Sequence, residues 1–326
     1  MTSPDRFVSL DGLRGIAAIA VMLFHVSLGY MPGGSLAVDF FFCLSGFVIA
    51  LAFGKRFTDG LSFRAFAKAR FARLYPMMFI GGLLGIILHG GNPNILLLVP
   101  DFLGLSLFPT NPPFWSLLAE VLANIAFALV LVGLSTRKLA LVALVSGLLL
   151  AFAILSGPWP RELGSHWDGA GWAVPRTLYS FTAGMLIYRW HAQAAPVRRI
   201  TRLALLLPAA LLALTYFGGP DRALWDTAAI LFGLPAIVWL GTRMEMPFQP
   251  LWQRMGGLSY PLYCIHVPLI ALVDDPLVRL SIAALLLPAA LALDAGPKSG
   301  KRVIEAKGIA LPDPDIVARI KAGCRA

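Results

Sequence analysis

The sequence predicts an all-α protein: a polytopic bundle of about ten membrane-crossing helices around a polar central channel. Three observations predict it. Hydrophobic residues make up 58% of the 326-residue chain and charged residues only 13%, where a water-soluble domain carries about 25% charged residues. Apolar runs close to the ~20 residues that cross a bilayer recur along almost the whole length. The basic residues, finally, fall in alternate loops, as the positive-inside bias of membrane proteins demands.

The candidate spans run near residues 8–30, 36–54, 74–90, 114–135, 139–156, 171–190, 201–217, 223–241, 257–273 and 277–294. The first, within "LDGLRGIAAIAVMLFHV", has no small-residue cleavage site after it and reads as an uncleaved signal anchor. Between the third and fourth lies "NPNILLLVPDFLGLSLFPT", apolar but broken by Pro93, Pro100 and Pro109, which predicts a loop with a short half-inserted helix. Pro208, Pro235, Pro261 and Pro268 fall inside spans, where membrane helices tolerate proline better than soluble ones do. Residues 1–294 therefore form one membrane domain, and the polar, basic, Pro-broken tail 295–326 reads as a partly disordered cytoplasmic extension.

Charge sets the orientation. With the N-terminus in the cytoplasm, residues 55–73, 136–138, 191–200, 242–256 and the tail lie inside, and the first of these holds Lys55, Arg56, Arg64, Lys68, Arg70 and Arg73. The opposite loops hold only Arg161 and Arg222. Both termini are thus expected in the cytoplasm, with the protein multi-pass in its membrane. The same bias accounts for the net charge of +10, so the basic balance is no sign of nucleic-acid binding. Cys43, Cys264 and Cys324 make no disulfide framework, and the first two, in apolar runs, read as small buried thiols. No spacing of ligand types suggests a metal.

Charges within spans are expensive and mark function or a partner. Asp11, Arg14 and His25 share one face of the first helix, with Arg14 and His25 roughly 16 Å apart along its axis. A polar stripe of this kind faces protein or water, although helix-to-helix hydrogen bonds would also produce it. By depth alone, Asp39 of the second span and Glu120 of the fourth can meet His25, and a histidine beside a carboxylate is a general base with its tautomer set. In "KARFARLYP", Arg70 and Arg73 are neighbours on a helical turn, and paired guanidinium forks suit phosphate. Arg176 balances a carboxylate, Glu120 or Asp39. His266 lies one turn from Tyr263 and nearly two from Tyr260, either as a second functional group or as a hydrogen bond between helices. His89, His166 and His191 fall at span ends or in loops and are expected to be solvated.

Five fragments occur in order: "LDGLRGIAAIAVMLFHV", "VDFFFCLSGFVIA", "ARFARLYP", "FWSLLAEV" and "LSYPLYCIHVPLI". Together they resemble the acyltransferase 3 family of bacterial integral-membrane O-acyltransferases, over roughly residues 7 to 294. The resemblance implies a ten-helix domain that moves an acyl group from cytoplasmic acyl-CoA to an acceptor hydroxyl at or beyond the membrane. It matches Arg14 and His25 to the family's essential first-helix pair and Arg70 and Arg73 to its donor-side Arg-x-x-Arg. It further matches Asp39, Ser45 and Gly46 to the second-helix segment, Glu120 to the acid after "WSL", and Tyr260, Tyr263 and His266 to the late segment. The chain departs from the pattern at Ala123 and Asn124, where the family commonly has an aromatic pair, and in the short tenth span and its tail. No hydrolase-like domain is expected after residue 294.

The expected reaction is transfer of an acyl group, acetyl in the first instance, from acyl-CoA to a hydroxyl of a glycan, a lipid-linked intermediate or a small molecule. Acyl-CoA acts as donor substrate, and no permanently bound cofactor is expected. Its phosphates would dock on Arg70 and Arg73, aided by Arg14. The pantetheine arm, roughly 15–20 Å of extended chain, would run along the polar face of the first helix, and His25 would deprotonate the acceptor with Asp39 or Glu120 orienting it. Ser45, Arg176, Tyr260, Tyr263 and His266 are the candidate substrate-binding residues. The alternative is a transporter of a polar or anionic small molecule, since intramembrane charges and broken helices also mark transport pathways. The absence of an inverted repeat in the sequence counts against it.

Overall fold

The computed structural model describes residues 7–157, 163–194, 199–219 and 221–294. The tail expected to be disordered, with Cys324, lies outside them. Among the described residues ten helices follow in order: α1 (Val8–Val26), α2 (Ala37–Thr58), α3 (Phe63–His89), α4 (Phe114–Leu129), α5 (Thr136–Ser156), α6 (Ala173–Ala194), α7 (Leu206–Phe217), α8 (Ala223–Gly241), α9 (Gln249–Ile270) and α10 (Pro276–Asp294). Helix α8 carries one π-helical turn, Ala229–Gly233, whose Leu231 carbonyl accepts from the Tyr179 hydroxyl. One parallel pair of two-residue strands, β1 (Arg199–Ile200) and β2 (Met244–Glu245), joins the segments that lead into α7 and α9.

Each expected span is a helix. Six, α1, α2, α3, α5, α8 and α10, are long and apolar enough to cross a membrane, and α4 and α7 are apolar but shorter. Helices α6 and α9, 22 residues each, have the length but carry more polar residues, among them the buried Arg176 and His266. Local chemistry sets several ends. Ser62 accepts from the Ala65 amide and Ser135 from the Lys138 amide, capping the starts of α3 and α5. Gly90, at φ 67°, ends α3 in the left-handed region that suits glycine. The Ser62 cap places the start of α3 eleven residues before the expected span, so Arg70 and Arg73 belong to the same helix that enters the apolar layer.

The piece between α3 and α4 differs from its expected form. It contains a 3-10 turn, Pro93–Leu97, and then an irregular strip held to the segment before α6. Ser106 bridges His166, the Leu107 amide donates to Ser165 O, and the Trp167 indole donates to Asp101 O over 2.8 Å. Pro100 and Pro109 prevent a longer helix, and the two loops satisfy each other's backbone instead.

Helix α1 lies in the interior, against α9 most extensively and also against α2, α7 and α10. Small residues allow the closest crossings, as expected where lipid removes the hydrophobic drive between helices and packing must supply it. A Cβ on Gly15 would stand 2.4 Å from Met255 O, one on Gly46 2.0 Å from Phe181 O, and one on Gly184 1.9 Å from Cys43 O. Large apolar side chains such as Ile87, Leu148, Phe152 and Leu285 lie on the outside, the surface a lipid environment covers. Cys43 and Cys264 are buried free thiols.

Candidate active site

His25 ends α1. In that last turn its Nδ1 lies 2.8 Å from the Val21 carbonyl, which can only accept, so Nδ1 carries the proton. The same nitrogen is 3.3 Å from His266 Nε2. His266, fully buried on α9, has its own Nδ1 3.0 Å from both Leu262 O and Tyr263 O. Two carbonyls at one nitrogen make that nitrogen a donor as well, which leaves His266 Nε2 as the acceptor. The two imidazoles therefore form a directed chain. His25 Nε2 has no hydrogen-bond partner among the described residues, and the side chain lines a cavity of about 430 Å³ together with Phe24, Ser35, Trp115, Ser165 and His166.

A second cavity, of about 150 Å³, is lined by Arg14, Arg70, Arg73, Ser45, Glu120 and Tyr260, among others. Arg70 donates to Glu120 Oε1 over 3.0 Å, and Ser45 donates to the same oxygen over 3.1 Å. The buried Arg70 Nε has no hydrogen-bond partner, so one N–H of this fork is still to be satisfied. Arg73 is exposed. Arg14 donates to Gly256 O over 2.7 Å and lies 3.6 Å from Asp11 Oδ1, tying α1 to the start of α9. Tyr260 donates to Leu74 O, and Tyr263 and Ser116 share a 2.6 Å hydroxyl contact. Val38 and Tyr263 line both cavities, so the basic cavity and the histidine cavity meet at one wall.

Depth reasoning from sequence brought Asp39 and Glu120 to His25, and the geometry separates them. Glu120 stands six residues into α4, about 9 Å along the axis at 1.5 Å per residue, whereas His25 stands one residue from the end of α1. Glu120 instead reaches Arg70, whose long side chain rises from the other end of the bundle. Asp39 is near the right depth, but Arg176 takes its carboxylate: Nε lies 3.1 Å from both oxygens and Nη2 2.7 Å from Oδ2. Of the two carboxylates open to Arg176 in the sequence, Asp39 is the one it holds. Both side chains are almost fully buried, at 0% and 1% exposure. Leu163 O and Ser35 O take two further guanidinium N–H groups, and Trp115 packs its ring 5.2 Å from the guanidinium carbon. This pair holds α2, α6 and the wall of the histidine cavity together.

Sequence reasoning missed that the partner of His25 is His266. The two residues are 241 positions apart, and only the contact of α1 with α9 joins them. Asn124 is buried with both amide atoms lacking a partner. His191, expected in solvent, packs its ring edge to face with Phe7 and Phe47. Among the described residues no group of three or more His, Cys, Asp or Glu side chains is placed to hold a metal ion.

A family model described as an acyltransferase domain, Acyl_transf_3, matches residues 7–293. The chain belongs to the acyltransferase 3 family. Among curated proteins it is similar to Protein 2 in picA locus of Rhizobium radiobacter, 51% identical over 78 residues, which are 23% of this chain and 41% of that protein. It is also similar to the peptidoglycan O-acetyltransferase OatA of Listeria monocytogenes, 36% identical over 74 residues, covering 22% of this chain and 12% of that one. The O-acetyltransferase OatA of Staphylococcus aureus is 36% identical over 78 residues, 23% of this chain and 13% of that protein. The matches thus span less than half of each of these relatives. No solved structure matches.

Proposed function

We propose that this member of the acyltransferase 3 family is a membrane O-acyltransferase that moves an acetyl group from acyl-CoA, entering from the cytoplasmic side, to a hydroxyl of an acceptor on the opposite side. The observation that carries the reading is the pair of cavities that meet at Val38 and Tyr263, one lined by three arginines and the other by His25. Guanidinium forks suit the donor's phosphates, and the unpartnered Arg70 Nε–H is a donor such an anion would satisfy. The similarity to proteins named O-acetyltransferases supports acetyl as the group and a hydroxyl as the acceptor.

In this mechanism the thioester end reaches the shared wall, and the acceptor hydroxyl enters the histidine cavity. His25 Nε2 takes the hydroxyl proton as the oxygen attacks the thioester carbonyl, forming a C–O bond. Collapse of the tetrahedral intermediate breaks the C–S bond, and the CoA thiolate recovers the proton from Nε2. The imidazolium that exists between these steps is stabilised through Nδ1–H by Val21 O and His266 Nε2, the role a carboxylate plays in many triads. Arg14 braces the start of α9 as well as lining the donor cavity, so its replacement weakens both.

The test is calorimetry of acetyl-CoA against the purified protein in nanodiscs, with mass spectrometry of envelope glycans, lipids and small metabolites from cells with and without the gene. Acetyl-CoA binding is expected in the wild type, weakened by Arg70→Ala with Arg73→Ala and partly restored by a lysine pair, whose ammonium groups lack the fork. His25→Gln should retain donor binding and lose about 10²–10⁴ in transfer rate. No acetyl-CoA binding by the wild type, or undiminished transfer by His25→Gln, overturns the reading.

A further inference from the structure

His266 is the one imidazole in contact with His25, and its orientation is decided by its own backbone. The carbonyls of Leu262 and Tyr263, each 3.0 Å from Nδ1, hold the proton on that nitrogen and the lone pair on Nε2. That lone pair stands 3.3 Å from His25 Nδ1. A neutral His266 in this setting can accept from His25 and cannot donate to it. Val21 O on the other side of the same His25 nitrogen also only accepts. Both neighbours of Nδ1 therefore select one tautomer of His25, protonated at Nδ1, and leave the Nε2 lone pair for the cavity.

The two neighbours do different things. Val21 O belongs to α1 itself, four residues back, and moves with His25. His266 belongs to α9 and anchors the ring to a second helix, so it sets the ring's rotation as well as its tautomer. Pro268 and Pro261 flank it on α9. The carboxylates of the neighbouring helices are occupied, Asp39 by Arg176 and Glu120 by Arg70. We infer that His266 is a positioning residue for the transfer reaction: its buried Nε2 lone pair accepts the His25 Nδ1–H and holds the His25 Nε2 lone pair toward the acceptor cavity. The inference rests on His25 acting as the base.

Two substitutions separate the functions of the His266 ring. His266→Asn keeps a donor where Nδ1 stands but removes the acceptor at the ring tip, and His266→Gln offers an acceptor near that tip. With acetyl-CoA as donor, His266→Asn should lose about 10-fold to 100-fold in kcat, the range seen when the outer partner of a metal-bound histidine is removed, with the KM for acetyl-CoA within about twofold of wild type. His266→Gln should recover most of the rate. A purely structural role predicts a different pattern, with both variants losing stability and rate together. Nitrogen-15 spectra of the full chain in nanodiscs, labelled at its five histidines and assigned by the resonance missing in His25→Gln, read the tautomer directly. The wild type should show His25 protonated at Nδ1, and His266→Asn a mixture of tautomers. Wild-type His25 protonated at Nε2, or equal rates for the Asn and Gln variants, overturns the inference. A wild type without transferase activity defeats the proposed function, while the spectra still decide the arrangement of the pair.

Discussion

Replacing Asp39 tests whether its carboxylate holds the fold or takes part in the chemistry. In the structure it receives three guanidinium contacts, two from Arg176 Nε at 3.1 Å and one from Nη2 at 2.7 Å. It also receives a long bond from Ser180 at 3.4 Å. Asp39→Leu removes these and leaves a fully buried guanidinium that has lost the Asp39 carboxylate, with Leu163 O and Ser35 O among its remaining partners. Stranding one member of a buried ion pair costs about 3–5 kcal/mol. Asp39→Asn keeps a neutral acceptor and should fall at or below the lower end. Removing both charges in Asp39→Leu with Arg176→Met costs less than either single change, because neither member of the pair is left buried without the other. The assay is a double-mutant cycle on unfolding in mixed micelles titrated with SDS, with acetyl-CoA affinity and transfer measured on each folded variant. Near-wild-type stability for Asp39→Leu refutes the structural assignment. So does a folded double variant that binds acetyl-CoA normally and transfers nothing, which would return Asp39 to the chemistry.

Val38→Trp places a large ring in the wall common to both cavities; acetyl-CoA affinity should stay within a few-fold of wild type while transfer falls at least tenfold, and unchanged transfer would show that the acyl group takes another route. Asn124→Leu removes a buried amide with no partner and should stabilise the protein by about 1–3 kcal/mol in the same SDS titration, a destabilised variant showing that the amide has an unseen partner. Cysteines placed singly at the exposed Gly29 and Asp168 should react with impermeant reagents added outside cells and those in 57–68 should not; the reverse pattern would invert the orientation and the donor side with it.

Much of the fold was legible in the chain because a bilayer imposes a simple rule. Backbone groups in lipid must be satisfied within a helix, so apolar length marks each helix, and all ten candidate spans appear as helices. Charge placement makes orientation an expectation of the same kind, since it depends on loops that are local in sequence. The Arg-x-x-Arg pair and the first-helix stripe were legible for the same reason: residues three, four or eleven apart on one helix share a face whatever surrounds it. Contacts between helices are another matter. That Arg70 reaches Glu120, that Arg176 chooses Asp39 and that His25 meets His266 depend on which helices touch and how far each is shifted along its axis. Those are set by close crossings such as Gly46 on Phe181 and Gly184 on Cys43. Depth along a single helix carries no information about the neighbour's rotation, and a long arginine side chain reaches past one turn of about 5.4 Å. Sequence alone therefore determined which polar residues enter the membrane layer, and the tertiary structure decided how they pair, because a buried charge bonds to the partner its packing brings within about 3 Å.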